Sequence, residues 1–439
     1  MKDTKKPLFR GNNGENYLFP FILITCLFFM WGFAHSLLDV LNKHFQDSLN
    51  LSKAESGAVQ AAAYGAYFFM ALPAGYIARK FGYKAGIIVG LSAFAVGAFW
   101  FVPAVWVNTF WAFLIGLLVL FCGLTCLETV ANPYAIVLGH PDTAASRINL
   151  AQTFNAIGWI LGPLVGSVLI FKNDSGKSII ELFYEAIEKV FLGNAEIVKA
   201  VEEKAESVTE NSALIPPYVG LGILVLLILV LFLFTKLPEV KTGSEKVSEG
   251  GPSVPLFKNR LFVMAVFAQF LYVAAQTGIG SFFINYTIEV QELQLTEIQG
   301  GLLLGLGGMA LFAIGRFFGS IIMKKVNAET LLCAGSVINS LLMLFVVYNH
   351  NRFGVIALIA SYLFMSIMFP SIFAIGIKGL GEKTKTAASI LVLTVVGGAI
   401  APTLMGIIGE ENMNIGFIIP LICFIYISVF GYVGRISNR

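Results

Sequence analysis

The 439 residues are 57% hydrophobic and 13% charged, with 29 basic and 26 acidic side chains and a mean hydropathy of +0.80. A soluble chain of this length carries roughly 110 charges, so a soluble globular enzyme, a disordered chain and a secreted disulfide scaffold are excluded. A spanning helix needs about 20 apolar residues, and the apolar inventory suffices for about twelve. The class is a polytopic, all-α membrane protein with the lipid bilayer as its main partner.

The net charge of +3 is spread over loops and implies no nucleic-acid partner. Cys26, Cys122, Cys126, Cys333 and Cys423 all lie in apolar runs, as softly apolar packing residues do. The apolar run from Tyr17 to Ala34 is too long for a signal-peptide core and lacks a cleavage site, so it reads as an uncleaved first span.

Lipid admits only helices or closed barrels. The runs here are long and continuous, which selects helices. In chain order they predict spans at 18–46, 55–79, 85–105, 109–138, 145–171 and 214–236. After the polar, Gly/Ser/Pro-rich linker 237–258 follow 260–289, 297–323, 329–349, 353–380, 385–408 and 414–434. The expected domains are a six-helix bundle over 1–236, the linker, and a second six-helix bundle over 259–439. With both termini inside, cytoplasmic segments hold 20 Lys or Arg, and the short outer loops keep only Lys43, Lys53 and Arg352. The outer loop 172–213 is acidic. Its apolar residues Ile180, Phe183, Ile187 and Phe191 predict an amphipathic helix.

The halves echo each other. Gly75-Tyr-Ile-Ala-Arg79-Lys80 follows the second span and Gly319-Ser-Ile-Ile-Met-Lys324-Lys325 follows the eighth. Thr143-Ala-Ala-Ser146 opens the fifth span and Thr386-Ala-Ala-Ser389 the eleventh. Parallel six-helix halves are the major-facilitator architecture, which places substrate near the middle of the membrane.

Ionisable residues within spans are functional candidates because they are costly there. Asp39 lies in the outer half of the first span, Glu128 toward the inner half of the fourth, and Arg316 two turns from the inner end of the eighth. A carboxyl held away from water can exchange a proton at physiological pH, so Asp39 and Glu128 suit proton coupling. Arg316 suits carbonyl binding or snorkelling at an inner gate. Polar neutral residues form a second layer. His35, Ser36 and Asn42 share a side of the first span with Asp39. Asn132 is one turn after Glu128 and precedes Pro133. Asn149, Gln152 and Asn155 mark the fifth span, and Gln269, Tyr272 and Gln276 the seventh. Amides and carboxylates suit vicinal hydroxyls, and Trp31, Tyr272 and Phe369 can stack on a sugar ring. The same amides can also be glue between helices. Gly176-Lys177-Ser178 lacks the first glycine of a phosphate loop, and the four histidines are scattered, so neither nucleotide, metal nor triad chemistry is indicated. The chain reads as no enzyme, with no resident cofactor beyond a co-transported proton.

The runs Trp31-Gly-Phe-Ala-His35-Ser-Leu-Leu-Asp39, Cys126-Leu-Glu128-Thr-Val-Ala-Asn132-Pro133-Tyr134, Asn149-Leu-Ala-Gln152-Thr-Phe-Asn155 and Ala268-Gln269-Phe-Leu-Tyr272-Val-Ala-Ala-Gln276-Thr277 resemble the fucose–galactose–hexuronate symporter family of major facilitators. The likeness covers the chain apart from 172–213 and the linker. It implies monosaccharide uptake driven by protons through alternating access, with L-fucose as the leading sugar, in a monomer of the bacterial inner (plasma) membrane. It implies proton coupling and sugar binding at Asp39 and Glu128, sugar contacts at Gln152 and Asn155, and an aromatic beside the site at Trp31. Ser36, Gly280 and Phe369 depart from the fucose-type pattern, which has asparagine, tryptophan and tyrosine there. Glu128 keeps to that pattern, whereas glucose/galactose-type members carry glutamine. Arg79 stands where facilitators commonly have an aspartate. A glucose/galactose or N-acetylglucosamine transporter of the same family, an uncoupled sugar facilitator or sensor, and a drug-efflux pump are the alternatives.

Overall fold

In the computed structural model the described residues are 9, 16–139, 143–171, 173, 175–193, 211–235, 256–323, 326–378, 380 and 384–437. Most of the linker, residues 194–210 of the outer loop, the Lys324-Lys325 pair and the side chains of Asn149, Thr386 and Ser389 lie outside them.

The described residues are almost entirely helical, and eleven stretches among them are long and apolar enough to cross a membrane. The second, Lys53–Val107, is 55 residues long, about 80 Å if straight against a hydrocarbon core of about 30 Å. It holds two crossings, separated at Gly82, whose φ of 86° and ψ of 169° are not helical. Only glycine takes that backbone without strain. Twelve crossings result among the described residues. They are α1 (Leu18–Leu49), α2 (58–81), α3 (83–99), α4 (Phe110–Val137), α5 (Ala144–Ile170) and α6 (Ile215–Phe234). Then come α7 (Arg260–Glu289), α8 (297–322), α9 (Ala328–Tyr348), α10 (Arg352–Ile377), α11 (384–408) and α12 (Ile418–Ser437). "Outer" and "inner" below refer to the orientation predicted from the basic loops.

Compactness groups the chain into a first unit of Met1–Leu37, Gly65–Gly162 and Asn211–Glu245, and a second of Leu38–Tyr64, Pro163–Glu210 and Lys246–Arg439.

In the first unit, small residues let helices touch backbone to backbone. A Cβ on Gly32 of α1 would overlap the Asn155 carbonyl of α5, and one on Gly158 would overlap that of Phe29. Gly90, Gly97 and Gly123 make the same kind of seam between α3 and α4. Arg147, at the start of α5, is fully buried. Its Nε donates to Ala135 O near the end of α4 (3.2 Å), where the carbonyls lack helical partners.

In the second unit several helices are interrupted. Leu303–Met309 of α8 is a π segment, α10 breaks at Ser366–Ile367, and Thr394–Val396 of α11 is a 3₁₀ turn. Irregular backbone at membrane depth is tolerated where neighbouring protein takes up the freed groups. The break in α10 follows from Pro370, which has no N–H for the Ser366 carbonyl four residues earlier.

The outer-loop helix forms over Ile179–Ile187 and continues to Leu192. Its start is a reciprocal cap, with Ser178 N–H donating to the Glu181 carboxylate at 2.7 Å, and that bond holds the Glu181 carboxyl below its ordinary range. Its buried row is Leu182, Ala186 and Val190, not the predicted Ile180 and Phe191, which are exposed. The helix carries two apolar rows, and the row of smaller side chains packs against the outer ends of α8 and α10.

Candidate functional site

In the first unit the site begins with Glu128 on α4, half-buried. Tyr67 Oη of α2 donates to Glu128 Oε2 at 2.6 Å, a short bond typical of hydroxyl to carboxylate. Asn132 Nδ2 donates back to the Glu128 carbonyl at 3.0 Å, so that amide supports the helix just before Pro133. Beside Tyr67 an aromatic group gathers around His35. Its ring lies 5.5 Å from Tyr67, 4.9 Å edge-on to Phe121 and 5.6 Å stacked on Trp159. Trp31 is one turn earlier on α1, buried and stacked on Phe28 at 4.4 Å.

The α5 residues divide. Gln152 is half-buried. Asn155 is buried and donates to Phe28 O at 3.0 Å, tying α5 to α1 at the Gly32–Gly158 crossing. Ser36 Oγ lies 3.0 Å from Gly32 O and 3.3 Å from Gly158 O, and donates within the same crossing. In this arrangement both polar groups are engaged with backbone.

The second unit holds the other carboxylate. Asp39 is buried and accepts from Gln60 Nε2 at 3.2 Å on Oδ1. Gly280 of α7 lies beside it: a Cβ there would stand 2.8 and 2.9 Å from the two carboxylate oxygens. No larger residue could occupy 280 without displacing Asp39. Tyr272 is fully buried, donates to Met365 O at 3.0 Å and meets Phe369 edge-on at 6.1 Å. Gln276 is half-buried one turn further along α7. Arg316 donates from Nε to Ser366 O at 3.4 Å, the carbonyl that Pro370 leaves without its helical donor. Its guanidinium also sits 5.0 Å over the Phe312 ring.

The outer ends of α1 and α7 carry a feature that the sequence reading missed. Asn42 Nδ2 donates to Ser281 O at 2.7 Å, and Asn285 Nδ2 to Gln46 Oε1 at 2.6 Å, so pairs recur one helical turn apart on both helices. Beyond them Lys53 Nζ meets Glu289 Oε1 at 2.7 Å, Gly409 O at 2.8 Å and Glu410 O at 2.9 Å. These three partners use all three donors of the ammonium. The Glu410 carboxylate in turn accepts from the backbone N–H groups of Lys53 and Ala54 at 3.1 and 3.3 Å.

The sequence profile of the Major Facilitator Superfamily matches residues 21–181. The L-fucose-proton symporter of Escherichia coli (strain K12) is 35% identical over 426 residues, 96% of this chain and 94% of that protein. The chain belongs to the major facilitator superfamily. A Glucose/galactose transporter of Brucella abortus is 32% identical over 438 residues, 99% of this chain and 98% of that one. Among solved structures, the facilitator FucP in its outward conformation is 34% identical, with a TM-score of 0.64 over 95% of this chain and 99% of that one. This facilitator therefore sits among sugar-transporting relatives, as the motifs of its first, fourth, fifth and seventh spans implied. Tyr67, Gln60 and Trp159 went unrecognised because each looks like ordinary packing within an apolar run. Their partners are 61, 21 and 124 positions away in sequence.

Proposed function

We propose that this facilitator is a proton-coupled symporter that imports a monosaccharide by alternating access, with L-fucose as the first candidate. The observation that carries the reading is the half-buried Glu128, bonded to Tyr67, whose ring lies 5.5 Å from that of His35, itself flanked by Phe121 and Trp159. A carboxyl placed there can bind a proton or a sugar hydroxyl, and the rings can cover the apolar face of a pyranose. Glu128 and Asp39 are the proposed proton carriers. Trp31, His35, Ser36, Asn132, Gln152 and Asn155 in the first unit, and Tyr272, Gln276 and Phe369 in the second, are the proposed sugar contacts. Ser36, Asn132 and Asn155 would serve partly by shaping the helices that present the others. Arg316, bonded to the Ser366 carbonyl at the break in helix α10, is the proposed inner-gate element. Proton and sugar drive the cycle only through their differential affinity for its states.

The proposed setting is the inner membrane of a bacterium, with both termini cytoplasmic, as a monomer without resident cofactor. The two six-helix halves remain the proposed domains. A glucose/galactose specificity is the second reading, favoured by the 32% identity with the Brucella transporter over nearly all of both chains. Counterflow in proteoliposomes with L-fucose, D-galactose, D-glucose and N-acetylglucosamine decides between them. Exchange of L-fucose above the others supports the first reading, and exchange of D-glucose or D-galactose alone replaces it. A protonophore that leaves uphill accumulation unchanged removes the coupling.

A further inference from the structure

Between the outer surface and Asp39, the second unit contains a line of polar groups that apolar packing would have filled with leucines. At the outer end Ser56 Oγ donates to Lys53 O at 2.8 Å, and Gln46 Nε2 lies 2.9 Å from Ser56 Oγ. Gln46 passes the line to Asn285 at 2.6 Å. One turn inward, Asn42 is bonded to the Ser281 backbone. Three residues further in is Asp39, whose Oδ1 accepts from Gln60.

The line is interrupted in two places, and the interruptions coincide with unsatisfied groups. Asn285 Oδ1, Ser281 Oγ and Asn42 Oδ1 are all buried and find no hydrogen-bond partner. Asn42 and Ser281 are fully inaccessible and Asn285 is 3% exposed. Buried polar atoms without partners are costly, and in polar recesses ordered water satisfies them. Residues four apart on a helix are separated by about 6 Å along its axis and three apart by about 4.5 Å. Each interval is about one or two water molecules long.

We infer that the paired outer ends of α1 and α7 form a water-filled proton inlet to Asp39, open to protons while it is closed to sugar. A hydronium at the outer mouth, beside Glu289 and Lys53, gives a proton to the first water. Each water accepts one proton and releases another, and the last delivers it to Asp39 Oδ2, leaving the neutral acid. No electrons move and no co-reactant is consumed. The amides of Asn42, Gln46 and Asn285 orient the waters without being protonated. The pairing between side chains keeps the passage too narrow for a pyranose. The inference deepens the proposed coupling at Asp39, and its hydration can be tested apart from that proposal.

The first test substitutes Asn285→Leu, which keeps the branched shape and heavy-atom count and removes the polar atoms, with Gln46→Met as a second variant. L-fucose counterflow, which needs no net proton movement, is expected to stay within twofold of the parent. The initial rate of L-fucose-driven proton uptake is expected to fall about tenfold, and Asn285→Ser to restore it. Counterflow and proton uptake falling together in both variants, or neither falling, overturns the inlet. The second test uses the unaltered protein and no sugar. X-ray radiolysis in ¹⁸O-water is expected to oxidise the buried Leu41, Phe45 and Phe282 beside the line, while the equally buried Phe94 stays unmodified. Absence of label at all three overturns the inlet. Label there without any sugar-driven proton uptake retains the inlet and removes the coupling.

Discussion

Replacing Lys53 by methionine should open the outer mouth. The ammonium holds Glu289 at 2.7 Å and the carbonyls of Gly409 and Glu410 at 2.8 and 2.9 Å. With a side chain 12% exposed, against 24% for Glu289, it is better shielded than a surface pair worth up to about 1 kcal/mol. A charge-assisted bond of this kind contributes about 1.5–3 kcal/mol. Discounting for the exposed side of Glu289 leaves about 2 kcal/mol, or roughly a 30-fold shift in the closed-to-open ratio. Thr277, buried two turns inward of Asn285 on α7, provides the reporter. With Thr277→Cys, labelling by a membrane-impermeant maleimide, read on the peptide containing residue 277, should accelerate by roughly that factor in Lys53→Met. Lys53→Arg should give a smaller increase, and raised salt should speed labelling of the parent. A change below threefold in Lys53→Met would refute the view that this ammonium clasps the mouth.

Other substitutions test separate parts of the account. Arg316→Met should lower the thermal midpoint in detergent by removing the donor to Ser366 O, an unmet carbonyl costing about 1–3 kcal/mol. Pro370→Ala in the same background should recover it by supplying a helical N–H, whereas additive losses would contradict the capping role. Gly158→Ala should deplete folded protein because its Cβ meets the Phe29 carbonyl, while Gly220→Ala, with nothing within 4 Å, should be neutral; equal yields would remove the tight α1–α5 crossing. Tyr67→Phe should weaken sugar-driven proton uptake while sparing counterflow, and wild-type coupling ratios would show that its bond to Glu128 is dispensable.

Much of the fold was legible because lipid imposes a simple rule: about 20 apolar residues per crossing, with charge confined elsewhere. The twelve spans followed from that rule; the interruptions within α8, α10 and α11 were not read from it. Boundaries moved where polar residues join helices to one another. The first span, predicted to end at 46, continues to Leu49 because its outer turns bond α7. Asp39, Glu128 and Arg316 stood out because charge in a span is rare. Tyr67 and Gln60 did not, since a tyrosine or glutamine in an apolar run has several ordinary uses. Ser36 and Asn155 illustrate the converse ambiguity. An amide or hydroxyl at helical spacing suits a sugar hydroxyl and a neighbouring carbonyl equally well, and only the α1–α5 crossing shows which carbonyls they meet. The outer pairs at 42 and 46 with 281 and 285 required knowing that α1 and α7 lie side by side.

The central claim is that this facilitator couples sugar to protons through Glu128. It is tested most directly by adding L-fucose to proteoliposomes in unbuffered medium and recording external pH. The account predicts alkalinisation with the parent chain and none with Glu128→Gln, although Glu128→Gln still exchanges sugar in counterflow. Alkalinisation of equal rate and extent in Glu128→Gln would contradict it.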